Sequence, residues 1–201
     1  MKAIATAVGR SFSFVFFLFW IFVLDMTITF FIGEHQSLVN YGLAPRTTQG
    51  LLGIVTMPFL HASIGHLFCN SISLMVLLTV LYVEFSDKFH MPGLMFKLIV
   101  TSGILIWLFA RGGGAIHIGA SALVYGLTTY TFLAGFYHGK PSLIAFSVVL
   151  LVLNGPGLLM GVLPIDAIVS WEGHLLGAIA GLIVASSEKK ESPEQSPDDS
   201  S

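Results

Sequence analysis

The chain has 201 residues, of which 55% are hydrophobic and only 10% are charged, and its mean hydropathy is +0.86. A soluble domain carries roughly 25% charged residues, so this chain lacks the charge to solvate a globular surface and reads as one integral membrane unit. The net charge of -2 with no basic patch gives nucleic acid no footing, and one cysteine, Cys69, excludes an internal disulfide.

The apolar runs are long and continuous. A membrane β-barrel would instead show segments of about ten alternating residues, so the expected class is all-α. About 20 apolar residues cross a bilayer. That ruler predicts spans at 11–32, 66–86, 94–111, 121–137, 141–160 and 172–187. The first run lacks a small-residue cleavage site and exceeds a usual signal-peptide core, so it is expected to be a retained span. The chain then divides into a cytoplasmic N-terminus at 1–10, a six-helix domain at 11–187 and a polar, disordered tail at 188–201. No internal repeat points to an inverted-repeat transporter.

The segment from Gly33 to Leu60 is too long and too polar for a simple turn, yet Leu51 to Leu60 is apolar. It is expected to form a partly embedded, interfacial first loop. The fourth span is short and follows the glycine-rich stretch Arg111-Gly112-Gly113-Gly114. Irregular backbone at membrane depth is tolerated only where protein buries it or water reaches it. The fourth helix is therefore expected to start inside the membrane, at the floor of a cavity, with Ser121 in its first turn.

Basic residues set the orientation. With the N-terminus inside, the inner segments hold Lys2, Arg10, Lys88, Lys97, Lys140, Lys189 and Lys190, and the outer ones only Arg46 and Arg111. Both termini are expected in the cytoplasm, and the start of the fourth helix on the outer side.

Ionisable side chains inside spans are costly and mark function. His66 and Asn70 are four apart at the start of the second span, so they share one helix face, and both can donate hydrogen bonds. Two donors aimed at one point suit a developing oxyanion. Either residue alone is as well explained as a polar bond between helices; the pair together with Ser121 and His174 is not. His61, just before that helix, reads as a loop anchor. In the sixth span, His174, Gly177 and Gly181 fall on one helix stripe, and the two glycines form G-x-x-x-G, which Gly173 extends by a turn. Small residues at that spacing let another helix approach closely, and they place His174 on the contact face.

A serine hydroxyl needs a neighbouring base, and His174 is the best candidate. Tyr125, one turn after Ser121, is placed to stack on it. No third triad member is evident: Glu172 points to another side of the helix from His174, Asp166 lies in an outer loop, and Asp25 belongs to the first span. His117, in the loop before Ser121, reads as a residue that orders that loop.

These motifs resemble those of the rhomboid intramembrane serine proteases: His61-x4-His66-x3-Asn70 in the second span, Gly119-x-Ser121 opening the fourth, and His174-x2-Gly177-x3-Gly181 in the sixth, over residues 11 to 187. Tyr41-Gly42-Leu43-Ala44-Pro45-Arg46 is also similar to the first loop of bacterial members. The resemblance implies a six-helix rhomboid-like bundle in a bacterial inner membrane, with Ser121 as nucleophile and His174 as its base. Asn70, His66 and the Ser121 N–H would form the oxyanion hole. It further implies single-span membrane protein substrates, a gate formed by the fifth span and the loop near 160–170, and no metal or cofactor. The family pattern is Gly-x-Ser-Gly, whereas Ala122 follows Ser121 here. Alanine at a position needing positive φ would cost about 1 kcal/mol; in a helix it is harmless. Two further readings are an inactive relative that only binds membrane helices, and a small transporter whose histidines relay protons. There is no G-x-S-x-G elbow and no H-E-x-x-H motif.

Overall fold

The computed structural model describes residues 2–33, 37–85, 91–164 and 170–191. Among these the chain is helical, with no strand: α1 (Lys2–Ile32), α2 (Gly50–Thr56), α3 (Ile64–Glu84), α4 (Met91–Phe109), α5 (Ser121–Tyr137), α6 (Pro141–Gly161) and α7 (Trp171–Glu191), plus short 3-10 turns at Leu38–Tyr41 and Met57–Phe59. Three of them, α1, α3 and α4, are long and apolar enough to cross a membrane by length and composition. Large side chains cover the outside: Phe30 is 82% exposed and Leu153 75%. Exposed apolar surface on that scale needs a lipid solvent, and the protein is an integral membrane protein.

The starts of α3 to α7 sit within three residues of those expected. α5 opens on Ser121 itself. α1 begins at Lys2, so the segment assigned to the N-terminus continues the helix. The residues expected to open the tail are helical as far as Glu191, because Glu188 finds partners: Lys97 Nζ at 3.2 Å and the buried Tyr130 hydroxyl at 2.6 Å. The rest of the tail, Asp166 and Lys88 lie outside the described residues.

The main core is leucine-rich. Leu18 of α1, Leu74, Leu77, Leu78 and Leu81 of α3, Leu98 of α4, and Leu123, Leu127 and Tyr130 of α5 form one cluster. The most extensive helix pairing is α5 with α7; α1 packs on α3, α4 on α7, and α6 on α5. α5 is thus the central helix. A second, smaller cluster joins Leu43 and Met57 of the first loop to Ile106 of α4, to Ala110 just after it and to Ala122.

The first loop is bound down along its length. Asp25, buried in α1, accepts from Leu38 N–H at 2.6 Å and from Ser37 Oγ at 2.9 Å. Leu43 and His117 exchange both backbone hydrogen bonds, at 2.9 and 2.8 Å, as an isolated antiparallel bridge. Arg46, in a left-handed conformation (φ 56°), donates to the Leu108 and Ala110 carbonyls at the end of α4. α2 then lies against α4 and leaves Leu51, Leu52 and Val55 exposed.

Candidate active site

α5 begins where the glycine-rich loop ends. Gly119 adopts φ 100°, a left-handed conformation that only glycine takes without strain. Its N–H donates to Met57 O at 2.9 Å, so the loop before Ser121 hangs on the first loop. A methyl at Gly119 would collide with His66, whose Nε2 would lie at 2.6 Å, and would meet Asn70 Nδ2 at 3.5 Å. The two donors of α3 therefore stand directly over the backbone two residues before Ser121. The N–H groups of the first turn of α5 have no acceptor within the helix, and they carry its positive dipole end.

Ser63 caps α3, its hydroxyl accepting from the His66 N–H at 3.2 Å, which fixes the turn that carries His66. His61 is 1% exposed and its Nε2 lies 3.1 Å from Asn70 Nδ2. With the amide donating, one N–H of Asn70 is held by His61 and the other is left to point elsewhere. His61 also meets His66 edge-on, ring centroids 5.2 Å apart. As the sequence suggests, His61 anchors its loop through a side-chain hydrogen bond, and that same bond to α3 orients the Asn70 amide. His61 lies outside the spanning helices. Burial, helped by the neighbouring His66, pushes it from the ordinary 6.5 down to about 4, so it is neutral at pH 7.

His174 stands in the first turn of α7. Its ring stacks on Tyr125 at 4.5 Å with 10° between planes, as the spacing of Tyr125 from Ser121 suggests. Its Nδ1 is 2.8 Å from the Gly161 carbonyl at the end of α6. A carbonyl only accepts, so Nδ1 carries the proton and Nε2 keeps its lone pair. Residue types alone give the histidine no third partner; the partner is a backbone carbonyl, which no residue type announces. Among the described residues no hydrogen bond joins Ser121 to His174. Such bonds are often loose before substrate arrives.

The approach of α7 to α5 is set by glycines. A methyl on Gly177 would overlap the Ala122 backbone, and one on Gly181 the Gly126 carbonyl. Ala122 and Gly126 are the matching small pair on α5, a signal present at i, i+4 that the motifs above do not include. Ala122 itself is helical and buried, and its methyl belongs to the smaller cluster. No strain attaches to it, so the departure from Gly-x-Ser-Gly leaves the backbone intact.

Glu172 faces away from His174, as expected, and pairs with Arg111 Nε at 3.3 Å. His117 does order its loop: Nδ1 lies 2.6 Å from Ser170 Oγ and Nε2 3.4 Å from Arg111 O. Burial pulls this histidine below its ordinary value. With both ring nitrogens engaged, it is not available as a base. Ser170 also accepts from the Gly173 N–H and so caps α7. It is absent from the motifs above, although a serine just before an apolar helical run is a capping signal.

Gly119, Ser121 and Tyr125 of the α5 region, His61, His66 and Asn70 around the start of α3, and His174, Gly177 and Gly181 of α7 thus gather around one helix start. Among the described residues no group of three His, Cys, Asp or Glu side chains is placed to hold a metal ion.

The chain matches the Rhomboid domain over residues 48–188. The match begins inside the first loop, so α1 lies outside it. An uncharacterised protein of Mycobacterium tuberculosis and one of Mycobacterium bovis are each 33% identical over 151 residues, covering 72% of this chain and 62% of theirs. One of Mycobacterium leprae is 32% identical over 158 residues, covering 75% of this chain and 61% of its own. The matched stretch thus spans about 62% of the length of the Mycobacterium tuberculosis and Mycobacterium bovis relatives. With more than half of its residues inside the family domain, and its three polar motifs gathered at one helix start, the chain belongs to the rhomboid family.

Proposed function

We propose that this protein is an intramembrane serine protease acting through a Ser121–His174 dyad. The observation that carries the reading is the convergence of three elements on the start of α5: His66 and Asn70 against Gly119, and His174 stacked on Tyr125 with Nδ1 committed to Gly161. Ser121 Oγ attacks the substrate carbonyl carbon while His174 Nε2 takes the hydroxyl proton. The oxyanion that forms accepts from Asn70, His66 and the Ser121 N–H. His174 then returns the proton to the leaving amine, and the C–N bond breaks to leave an acyl-enzyme. Water, deprotonated by His174, hydrolyses the ester and restores Ser121. Each oxyanion donor contributes about 3–4 kcal/mol in a water-poor site.

The remaining assignments belong to the same proposal. α1, α3, α4, α5, α6 and α7 form six spans, with the first loop lying partly in the membrane on the exposed apolar face of α2. Both termini are cytoplasmic, the site opens to the outer side of a bacterial inner membrane, and the substrates are single-span membrane proteins. The test is cleavage of a model single-span substrate in liposomes, together with labelling by a fluorophosphonate probe. Wild type cleaves and is labelled; Ser121→Ala does neither. Equal cleavage by both proteins would overturn the nucleophile, and equal labelling of His174→Ala would overturn the dyad.

A further inference from the structure

The first turn of α7 is capped by a residue that is itself held from elsewhere. Ser170 Oγ accepts from Gly173 N–H at 3.3 Å, and Ser170 O accepts from His174 N–H at 3.2 Å, so Ser170 sets the turn that carries His174. The hydroxyl occupies the place a side chain at Gly173 would take. Arg111 O can only accept, which places the ring proton of His117 on Nε2 and leaves Nδ1 to accept from the Ser170 hydroxyl 2.6 Å away. His117 lies four residues before Ser121, and its backbone is bonded both ways to Leu43. One side chain thus joins the loop of the nucleophile to the helix of the base. The Arg111–Glu172 ion pair, with Glu172 only 8% exposed, runs parallel to it between the same two segments.

Such a tie has a physical reason. The α5–α7 contact at Gly177 and Gly181 is backbone against backbone, which sets the distance between the helices, and a glycine offers no side chain there to lock one helix against sliding along the other. A displacement of about 1 Å between reacting groups can cost about 10²-fold in rate. We propose that His117 and Ser170 are positioning residues: their hydrogen bond, backed by Arg111–Glu172, holds the start of α7 against the loop before Ser121 and so places His174 for the reaction. This rests on the dyad reading above. Neither residue touches substrate.

The experiment uses full-length protein in detergent, with His117→Ala, Ser170→Ala, the double variant and Ser170→Thr. Hydrogen exchange of the start of α7 is followed beside that of its inner end, together with probe labelling and cleavage kinetics. In His117→Ala, exchange speeds up over residues 171–176 and not over 180–186. Labelling rate and kcat fall roughly 10- to 100-fold, while KM stays within about twofold. The double variant falls no further than the worse single one, and Ser170→Thr, which keeps the hydroxyl, stays near wild type. Unchanged exchange at the start of α7 in His117→Ala, or losses that multiply in the double variant, would overturn the proposal. If wild type neither cleaves nor is labelled while His117→Ala still loosens α7, the protease reading fails and the tie itself stands.

Discussion

The two ends of the α5–α7 pair are held by different physics. At the end away from Ser121, Tyr130 is fully buried in the leucine-rich main cluster, and its hydroxyl meets Glu188, which also meets Lys97. Towards the other end Leu67, Ala120 and Leu123 still belong to the main cluster and Leu43, Met57, Ile106, Ala110 and Ala122 form the small one, but the loops and helix starts that carry the polar residues are joined by hydrogen bonds and bare backbone. Broad apolar packing tolerates local change, because each contact is individually small. A site held by a few directional bonds does not. The scaffold end is therefore expected to govern stability, and the site end to govern turnover.

Gly177→Leu should break that division most sharply. The side chain has to displace the Ala122 backbone, so cleavage and probe labelling should be lost while the protein still extracts as a helical species by circular dichroism. If Gly177→Leu labels like wild type, the close α5–α7 approach is not what builds the site. Asn70→Ala comes next, with an expected fall of about 10²- to 10³-fold in kcat and little change in melting temperature. Leu78→Ala should show the reverse: a loss of about 2 kcal/mol or more of stability in detergent, with near-normal turnover once folded. A kinetic defect there as large as that of Asn70→Ala would remove the distinction between the ends.

The smallest effect concerns pH. His61 and His117 are both held below the ordinary 6.5, His61 at about 4, so the unfolded chain takes up their protons first. Their contribution to stability is complete above about pH 6.5 and is lost as pH falls from there towards 4. Melting curves from pH 7.5 to 4.5 should show this loss, and His61→Gln should shrink it. A melting temperature that rises on acidification would contradict the neutral, buried state of these rings.

Much of the site was legible in the residues. His66 and Asn70 share a face by helical arithmetic alone, and Ser121 could be placed at a helix start because the glycines before it cannot continue a helix. The spacing of Tyr125 from Ser121 anticipated its stack on His174. What escaped were partners that act through their backbone or through a long loop. The Gly161 carbonyl is 13 residues from His174, the Met57 carbonyl serves Gly119, and Ser170 serves His117 across 53 residues. The helical stretch at 188–191 was also missed, because Glu188 looks like tail until Tyr130 and Lys97 are seen beside it.

Composition and periodicity by themselves determined that this is a membrane-embedded helical protein, roughly where α3 to α7 begin, and which polar side chains lie on which helix face. Those are local properties, set by apolar run length and by 3.6 residues per turn. Only the tertiary structure decided that Ala122 carries no strain, that His61 orients Asn70, and that a carbonyl orients His174. These depend on contacts between segments far apart in the chain, and every residue offers a carbonyl, so nothing in its type says which one will be used.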